Sequence, residues 1–177
     1  MNATPLVVVV TGSECTGKTT LTADLAAHFE APSSPEFVRE YLDAKGTPLG
    51  ADDVSPIARG QMRAEDEAVA SASRVVIKDT DLMSTVVYSR HYYGACPDWI
   101  AEAATARSAD LYLLLHPDVP WVADGLQRDA PGERAEMHVR FRRQLEDSGA
   151  LIVDIAGPWE TRRETAIDAI ARALIRH

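Results

Sequence analysis

The segment from Leu6 to Thr20 constrains what this chain can fold into more than any other. A β-branched apolar run, Leu6-Val7-Val8-Val9-Val10, opens into Gly12-Ser13-Glu14-Cys15-Thr16-Gly17-Lys18-Thr19, and Leu21, Leu25 and Phe29 follow at four-residue spacing. The order is buried strand, glycine-bearing loop, helix, and the loop matches G-x-x-x-x-G-K-[ST] at every fixed position. A triphosphate must meet many backbone N–H groups at once, and glycine lets the main chain close on it with no Cβ in the way. Lys18 brings a point charge to the β- and γ-phosphates and Thr19 a hydroxyl to Mg²⁺, while the helix that starts here turns its positive end to the same anion. Gly12, Ser13, Glu14, Cys15, Thr16, Gly17, Lys18, Thr19 and Thr20 are therefore the expected ATP contacts.

At 177 residues the chain is expected to form one domain, residues 1–177, large enough for a substantial core. Its net charge is -9 and its pI about 5.0, so its surface repels a nucleic-acid backbone and no nucleic-acid partner is expected. There is no apolar stretch long enough to span a membrane and no leader pattern, which predicts a cytoplasmic protein with no membrane partner. Cys15 and Cys96 make no disulfide framework, and no Cys/His spacing points to zinc.

Further apolar runs predict the remaining strands. Glu36-Phe37-Val38-Arg39-Glu40-Tyr41 alternates charged and apolar residues and reads as a short second strand. Arg74 to Asp81 (its apolar run closed by Asp79), Asp110 to Leu115 and Leu151 to Ile155 read as three more. Helices are expected between them, including Val54 to Ser73, whose charges Arg63, Glu65, Asp66 and Glu67 read as a solvated face, and a last amphipathic helix through Ile167, Ile170 and Leu174. Alternating strand and helix predicts an α/β fold with three layers, α/β/α, around a five-stranded parallel sheet.

In such a sheet the ligand crevice lies at the carboxyl ends of the strands. That makes Glu36, Arg39 and Glu40 candidates on one strand, Asp79 and Asp81 on the next, and Gly157-Pro158-Trp159 a candidate adenine pocket. Asp79 closes its strand and is the expected Mg²⁺ ligand beside Thr19, with Asp81 expected to point the same way two residues on. The segment 117–134 is proline-rich and polar and leads into a helix; with Arg128 and Arg134 it reads as a mobile lid whose arginine closes over the transferring phosphoryl group. His116 stands alone at a strand terminus and reads as a capping or surface residue.

Three motifs follow the phosphate loop in order: Glu36-x-x-Arg39-Glu40-Tyr41, Asp79-Thr80-Asp81, and Pro120-Trp121-Val122-Ala123-Asp124-Gly125-Leu126. In these the chain resembles the ribosylnicotinamide kinase domain of bacterial NAD-biosynthesis regulators and the stand-alone P-loop ATPases related to it, over most of Leu6 to Ala171. The resemblance implies a nucleoside-kinase fold, ATP with Mg²⁺, and transfer of the γ-phosphoryl group to the 5′-hydroxyl of nicotinamide riboside. Two departures stand out: Pro35 replaces an aromatic residue that precedes the second-strand acid in the family, and Gln127 displaces the lid arginine to Arg128.

The expected roles are then these. Lys18 holds the phosphates, Glu40 or failing that Asp81 deprotonates the acceptor hydroxyl, and Arg128 or Arg134 closes the lid. Glu36, Arg39, Glu40, Tyr41, Asp81, Tyr88, Tyr92 and Trp121 receive the nucleoside, whose pyridinium charge favours acids and aromatic faces. A kinase for another nucleoside and a regulatory nucleotide-binding ATPase are the competing readings. A GTPase lacks its Asn-Lys-x-Asp guanine reader here.

Overall fold

The computed structural model of the protein describes residues 4–122 and 132–177. Five strands form one parallel sheet: β1 (Leu6–Thr11), β2 (Ser33–Ser34), β3 (Val75–Asp79), β4 (Leu111–Leu115) and β5 (Ile152–Ile155), in the order β2-β3-β1-β4-β5. Val10 pairs with Asp79 on one side of β1 and with Leu113 on the other, so the central strand carries the phosphate loop out between its two neighbours. Seven helices among the described residues cover the faces: α1 (Lys18–His28), α2 (Phe37–Lys45), α3 (Val54–Ser71), α4 (Leu82–Tyr93), α5 (Asp98–Ala106), α6 (Arg134–Asp147) and α7 (Trp159–Arg176).

The run of valines in β1 is explained by burial on both faces. Val9 packs with Tyr112, Leu114, Met83, Val86 and Phe141, under α4 and α6. Val8 and Val10 point the other way, to Leu21 and Leu25 of α1 and Ala166 and Ile170 of α7. Each buried valine, leucine, isoleucine, methionine or phenylalanine here contributes roughly 1.5–3 kcal/mol by leaving water, and β-branching suits the pleat. No helix among the described residues is long and apolar enough to cross a membrane.

The second strand is not where the charge alternation puts it. Residues 36–41 are helical: Glu36 is the N-cap of α2, and Gly46, at φ 67°, ends that helix. Phe37, Val38, Tyr41 and Leu42 fall at helical spacing, and the adjacent pair Phe37-Val38 already breaks a strict alternation. The true β2 is only two residues, held in register as Ser33↔Ile77 and Ser34↔Lys78. A two-residue strand between Pro32 and Pro35 is too short to show a period.

The charged face expected on α3 is also only partly solvated. Glu65 is buried, 1% exposed, with Lys78 Nζ donating to it at 3.0 Å and Gln61 Nε2 at 3.2 Å. Gln61 in turn accepts the Phe37 N–H at 3.0 Å. A buried ion pair therefore ties β3 to α3, and through Gln61 to the start of α2 beside Glu36.

Candidate active site

The loop after β1 has the strained backbone that its glycines permit. Gly12 sits at φ 138°, and a Cβ there would lie 2.8 Å from the Leu115 carbonyl oxygen; Gly17, the N-cap of α1, is at φ 90°. Gly17 brings no side chain to cap the first turn of α1, leaving that turn's N–H groups to an anion. Lys18 is 7% exposed and folds back, donating from Nζ to the Ser13 carbonyl at 2.9 Å, a carbonyl that also accepts from Thr16 Oγ1 at 2.9 Å. Thr19 and Thr20 are exposed on the first turn.

Thr19 Oγ1 donates to Asp79 Oδ2 at 2.6 Å. The other oxygen, Oδ1, is buried with no hydrogen-bond partner. Burial pushes the Asp79 carboxyl up, and Glu36 nearby adds to this, against the Thr19 hydrogen bond, Lys18 and Arg39. An orphaned carboxylate oxygen beside a threonine hydroxyl and a phosphate loop fits a divalent cation with hard oxygen ligands.

From the loop a cavity extends between α2, α3 and α4. Glu14, Cys15 and Lys18 line it from the loop, Glu36, Arg39, Thr80, Ser84, Tyr88, Tyr92 and Tyr93 supply its polar and aromatic groups, and Val38, Leu42, Val54 and Ile57 add apolar wall. The Tyr88 and Tyr92 rings stack at 5.8 Å and 7°, one turn apart on α4. Glu36 accepts from Arg39 Nε at 3.0 Å. Glu36 and Arg39 also reach the adjacent groove, where Thr19, Glu40 and Asp79 form the wall. Glu36 thus stands at the junction of both spaces, and Glu40 borders the groove without touching the cavity.

Three expected acceptor residues are placed elsewhere. Thr80 adopts φ 65°, so the chain turns and Asp81 does not share the direction of Asp79. Asp81 is 4% exposed, caps α4 by accepting the Met83 N–H at 3.0 Å and accepts the Tyr112 hydroxyl at 2.6 Å. Burial raises its carboxyl to about 6. Both oxygens are engaged and Asp81 does not line the cavity, so it is not placed to touch an acceptor there. Tyr41 donates to Asp53 at 2.9 Å and does not line the cavity, and the partly buried Trp121 is also absent from its wall.

Asp53 holds the cavity's outer rim. It accepts from Tyr41, from Lys45 Nζ at 2.5 Å and from the Gly50 N–H at 2.7 Å, and Leu49 and Gly50 form that rim. It stands at the N-cap of α3 without a side-chain cap hydrogen bond and acts as a cross-brace instead.

At the lid, Arg128 and the motif from Ala123 to Leu126 lie outside the described residues. Arg134 opens α6 and is 8% exposed, donating to the Cys15 carbonyl at 3.3 Å and to that of Val119 at 2.9 Å. Cys15 Sγ donates to the Val122 carbonyl at 3.0 Å. At the far side of the loop, Trp159 packs 3.4 Å from where a Gly17 Cβ would be, with Gly157 and Pro158 before it at the end of β5. Sequence reasoning missed Arg162. Fully buried, it donates to the carbonyls of Gly157 at 2.7 Å, His116 at 3.0 Å and Thr16 at 3.3 Å and pairs with Asp118; only its place on the inner face of α7 hinted at burial.

A family model described as an AAA domain (AAA_28) matches residues 7–162, which include the phosphate loop, Asp79 and Arg134. The chain belongs to this family. It is 33% identical over 127 residues, 68% of its length, to the trifunctional NAD biosynthesis/regulator protein NadR of Escherichia coli K12, and 34% identical over 127 residues to NadR of Salmonella typhimurium LT2. It spans 30% of those relatives' length. Among solved structures, NadR in complex with NR aligns at TM-score 0.81 and 32% identity, over 97% of this chain and 52% of that one. NadR in complex with NAD and AMP-PNP aligns at TM-score 0.78 and 31% identity, over 97% and 50%. Thymidylate kinase from Ehrlichia chaffeensis, at TM-score 0.64 and 13% identity over 96% of this chain and all of that one, shares the fold. The five-stranded parallel sheet is that of P-loop kinases.

Proposed function

We propose that this chain is an ATP- and Mg²⁺-dependent kinase that phosphorylates the 5′-hydroxyl of nicotinamide riboside, giving nicotinamide mononucleotide for NAD biosynthesis. One observation carries the reading: a single cavity joins Lys18 and Cys15 of the phosphate loop to Glu36, Arg39 and the tyrosine rings, so donor phosphates and an acceptor meet in one space. A pyridinium riboside gains from acids and aromatic faces, each cation–π contact contributing about 1 kcal/mol or more when desolvated. The similarity to NadR solved with NR and with AMP-PNP supports the same reading.

Phosphoryl transfer asks the protein for positioning and charge neutralisation. The loop amides and Lys18 hold the β- and γ-phosphates, with adenine against Gly157-Pro158-Trp159. Thr19 and Asp79 hold Mg²⁺, which neutralises the phosphate oxygens when bound. Glu36 orients the acceptor hydroxyl and takes its proton, because it faces both the cavity and the groove of Thr19 and Asp79. That assignment supersedes Glu40, which borders the groove alone. Asp81 acts by setting the start of α4 and its tyrosines. Arg134, already on the Cys15 carbonyl, meets the charge that develops on the transferring group.

The test is ADP release with ATP and Mg²⁺ across nicotinamide riboside, uridine, cytidine and thymidine, with the product identified by mass. Preferred conversion of nicotinamide riboside is expected, and Glu36→Gln should lower kcat more than Glu40→Gln. ADP release indifferent to every nucleoside would replace the kinase with a regulatory ATPase. Preference for a neutral nucleoside would keep the kinase and discard the pyridinium argument.

A further inference from the structure

Arg134 and His138 lie one turn apart on α6, and the second has no part in the site above. The His138 ring lies 4.3 Å, centroid to centroid, from that of His116, the residue that follows β4. His116 Nε2 is 2.7 Å from Asp154 Oδ1 on β5. One donor atom from each of His116, His138 and Asp154 lies within 4.8 Å of the others. His138 Nδ1 is buried and has no hydrogen-bond partner. A buried ring nitrogen left without a partner costs free energy unless something takes up its lone pair.

We propose that His116, His138 and Asp154 form a binding site for a divalent transition-metal ion that favours imidazole, Zn²⁺ above all, pinning α6 to the ends of β4 and β5. Two imidazoles, a carboxylate and an open fourth position are a set that zinc takes, with bonds of about 2.0–2.2 Å. Donors on one such ion stand about 3.4 Å apart, so the three side chains need draw together only slightly.

The charged neighbour is Arg142 on α6, which pairs with Asp154 on the oxygen that His116 uses. Its positive charge weakens the site for hard cations, and Mg²⁺ and Ca²⁺ want oxygen ligands in any case. Imidazole nitrogens suit a borderline metal better than a hard one. The site is therefore selective, and it is separate from the Thr19–Asp79 position. Asp79 and Asp154 stand three strand spacings apart across the sheet, about 14 Å. Because α6 begins at Arg134, an ion at His138 would fix the helix that sets that arginine on the phosphate loop.

The test is zinc binding by the full chain, freed of any affinity tag and treated with chelator, followed by calorimetry in excess Mg²⁺ and by the visible spectrum of Co²⁺ in place of zinc. One ion per chain is expected, unaffected by Mg²⁺, with a Co²⁺ spectrum of nitrogen and oxygen ligation. His116→Gln and His138→Gln should each weaken binding by roughly tenfold or more, while His177→Gln leaves it unchanged. Arg142→Gln, which removes no ligand, should tighten it by freeing Asp154. Absence of zinc binding by the wild-type chain, equal affinity in His138→Gln, or weaker binding in Arg142→Gln would each overturn the proposal. Since binding is read directly, these outcomes are independent of which acceptor the kinase site takes.

Discussion

The Arg134 guanidinium rests on the Cys15 carbonyl, Nη1 to O at 3.3 Å, so the first residue of α6 touches the phosphate loop itself. On the kinase reading proposed above, this arginine is the group that meets the transferring phosphoryl charge. A contact that strengthens as charge moves in the transition state lowers kcat when removed, with less effect on ground-state binding. Arg134→Ala should therefore reduce kcat by about tenfold or more and change the KM for ATP by less. Steady-state kinetics over a range of ATP concentrations measures both; unchanged kcat would return Arg134 to a purely structural tie between Cys15 and Val119.

Lys18 is a buried lysine whose ammonium is satisfied by the loop's own Ser13 carbonyl. Truncating it leaves that carbonyl with Thr16 Oγ1, so the loop keeps an internal hydrogen bond. Lys18→Ala should keep a melting temperature close to wild type while losing nucleotide affinity by about 2 kcal/mol or more, the usual worth of a charge-assisted contact. Fluorescent-nucleotide titration beside thermal melting separates the two effects, and wild-type turnover in this variant would sink the phosphate-loop reading.

How legible this was in the sequence depended on how local each feature is. The phosphate loop, Asp79 at the end of β3 and the five-stranded parallel sheet follow from short runs whose period and order are set by neighbouring residues. β2 escaped because two residues carry no period, and Glu36 to Tyr41 was misassigned because its charges mask the helical spacing of Phe37, Val38, Tyr41 and Leu42. Asp81 left the cavity through a single positive φ at Thr80, which no composition rule foresees. Glu65, Arg162 and the His116, His138 and Asp154 group gain their environments from elements far apart in the chain. Contacts made across the fold leave no spacing to read.

Arg162 shows what such a contact is worth. Its fully buried guanidinium serves the carbonyls of Gly157, His116 and Thr16 together, joining the ends of β4 and β5 to the phosphate loop. Methionine in its place fills much of the volume and strands three carbonyls, each unsatisfied buried group costing about 1–3 kcal/mol. Arg162→Met should lower stability by roughly 3 kcal/mol or more on that basis, read from urea denaturation midpoints. A midpoint equal to wild type would mean that water replaces the arginine at no cost.

Asp53 gives the fold a pH dependence whose sign can be worked out. Lys45's hydrogen bond first, then that of Gly50, holds its carboxyl down from 3.8 to about 2. The folded state thus binds fewer protons here than the unfolded chain does, so stability rises with pH through this window. The contribution is complete above about pH 4 and fades as pH falls toward 2. Asp53→Asn keeps an acceptor for Tyr41 but loses the charge facing Lys45, so its stability deficit against wild type should be largest at pH 5 and shrink on acidification. Denaturation at pH 5 and at pH 3 measures that gap. Because the same carboxylate holds Gly50 at the cavity rim, the variant at pH 7 should also show a raised KM for the acceptor with an unchanged KM for ATP. A stability gap constant with pH, or equal changes in both KM values, would separate Asp53 from the cross-brace assigned to it.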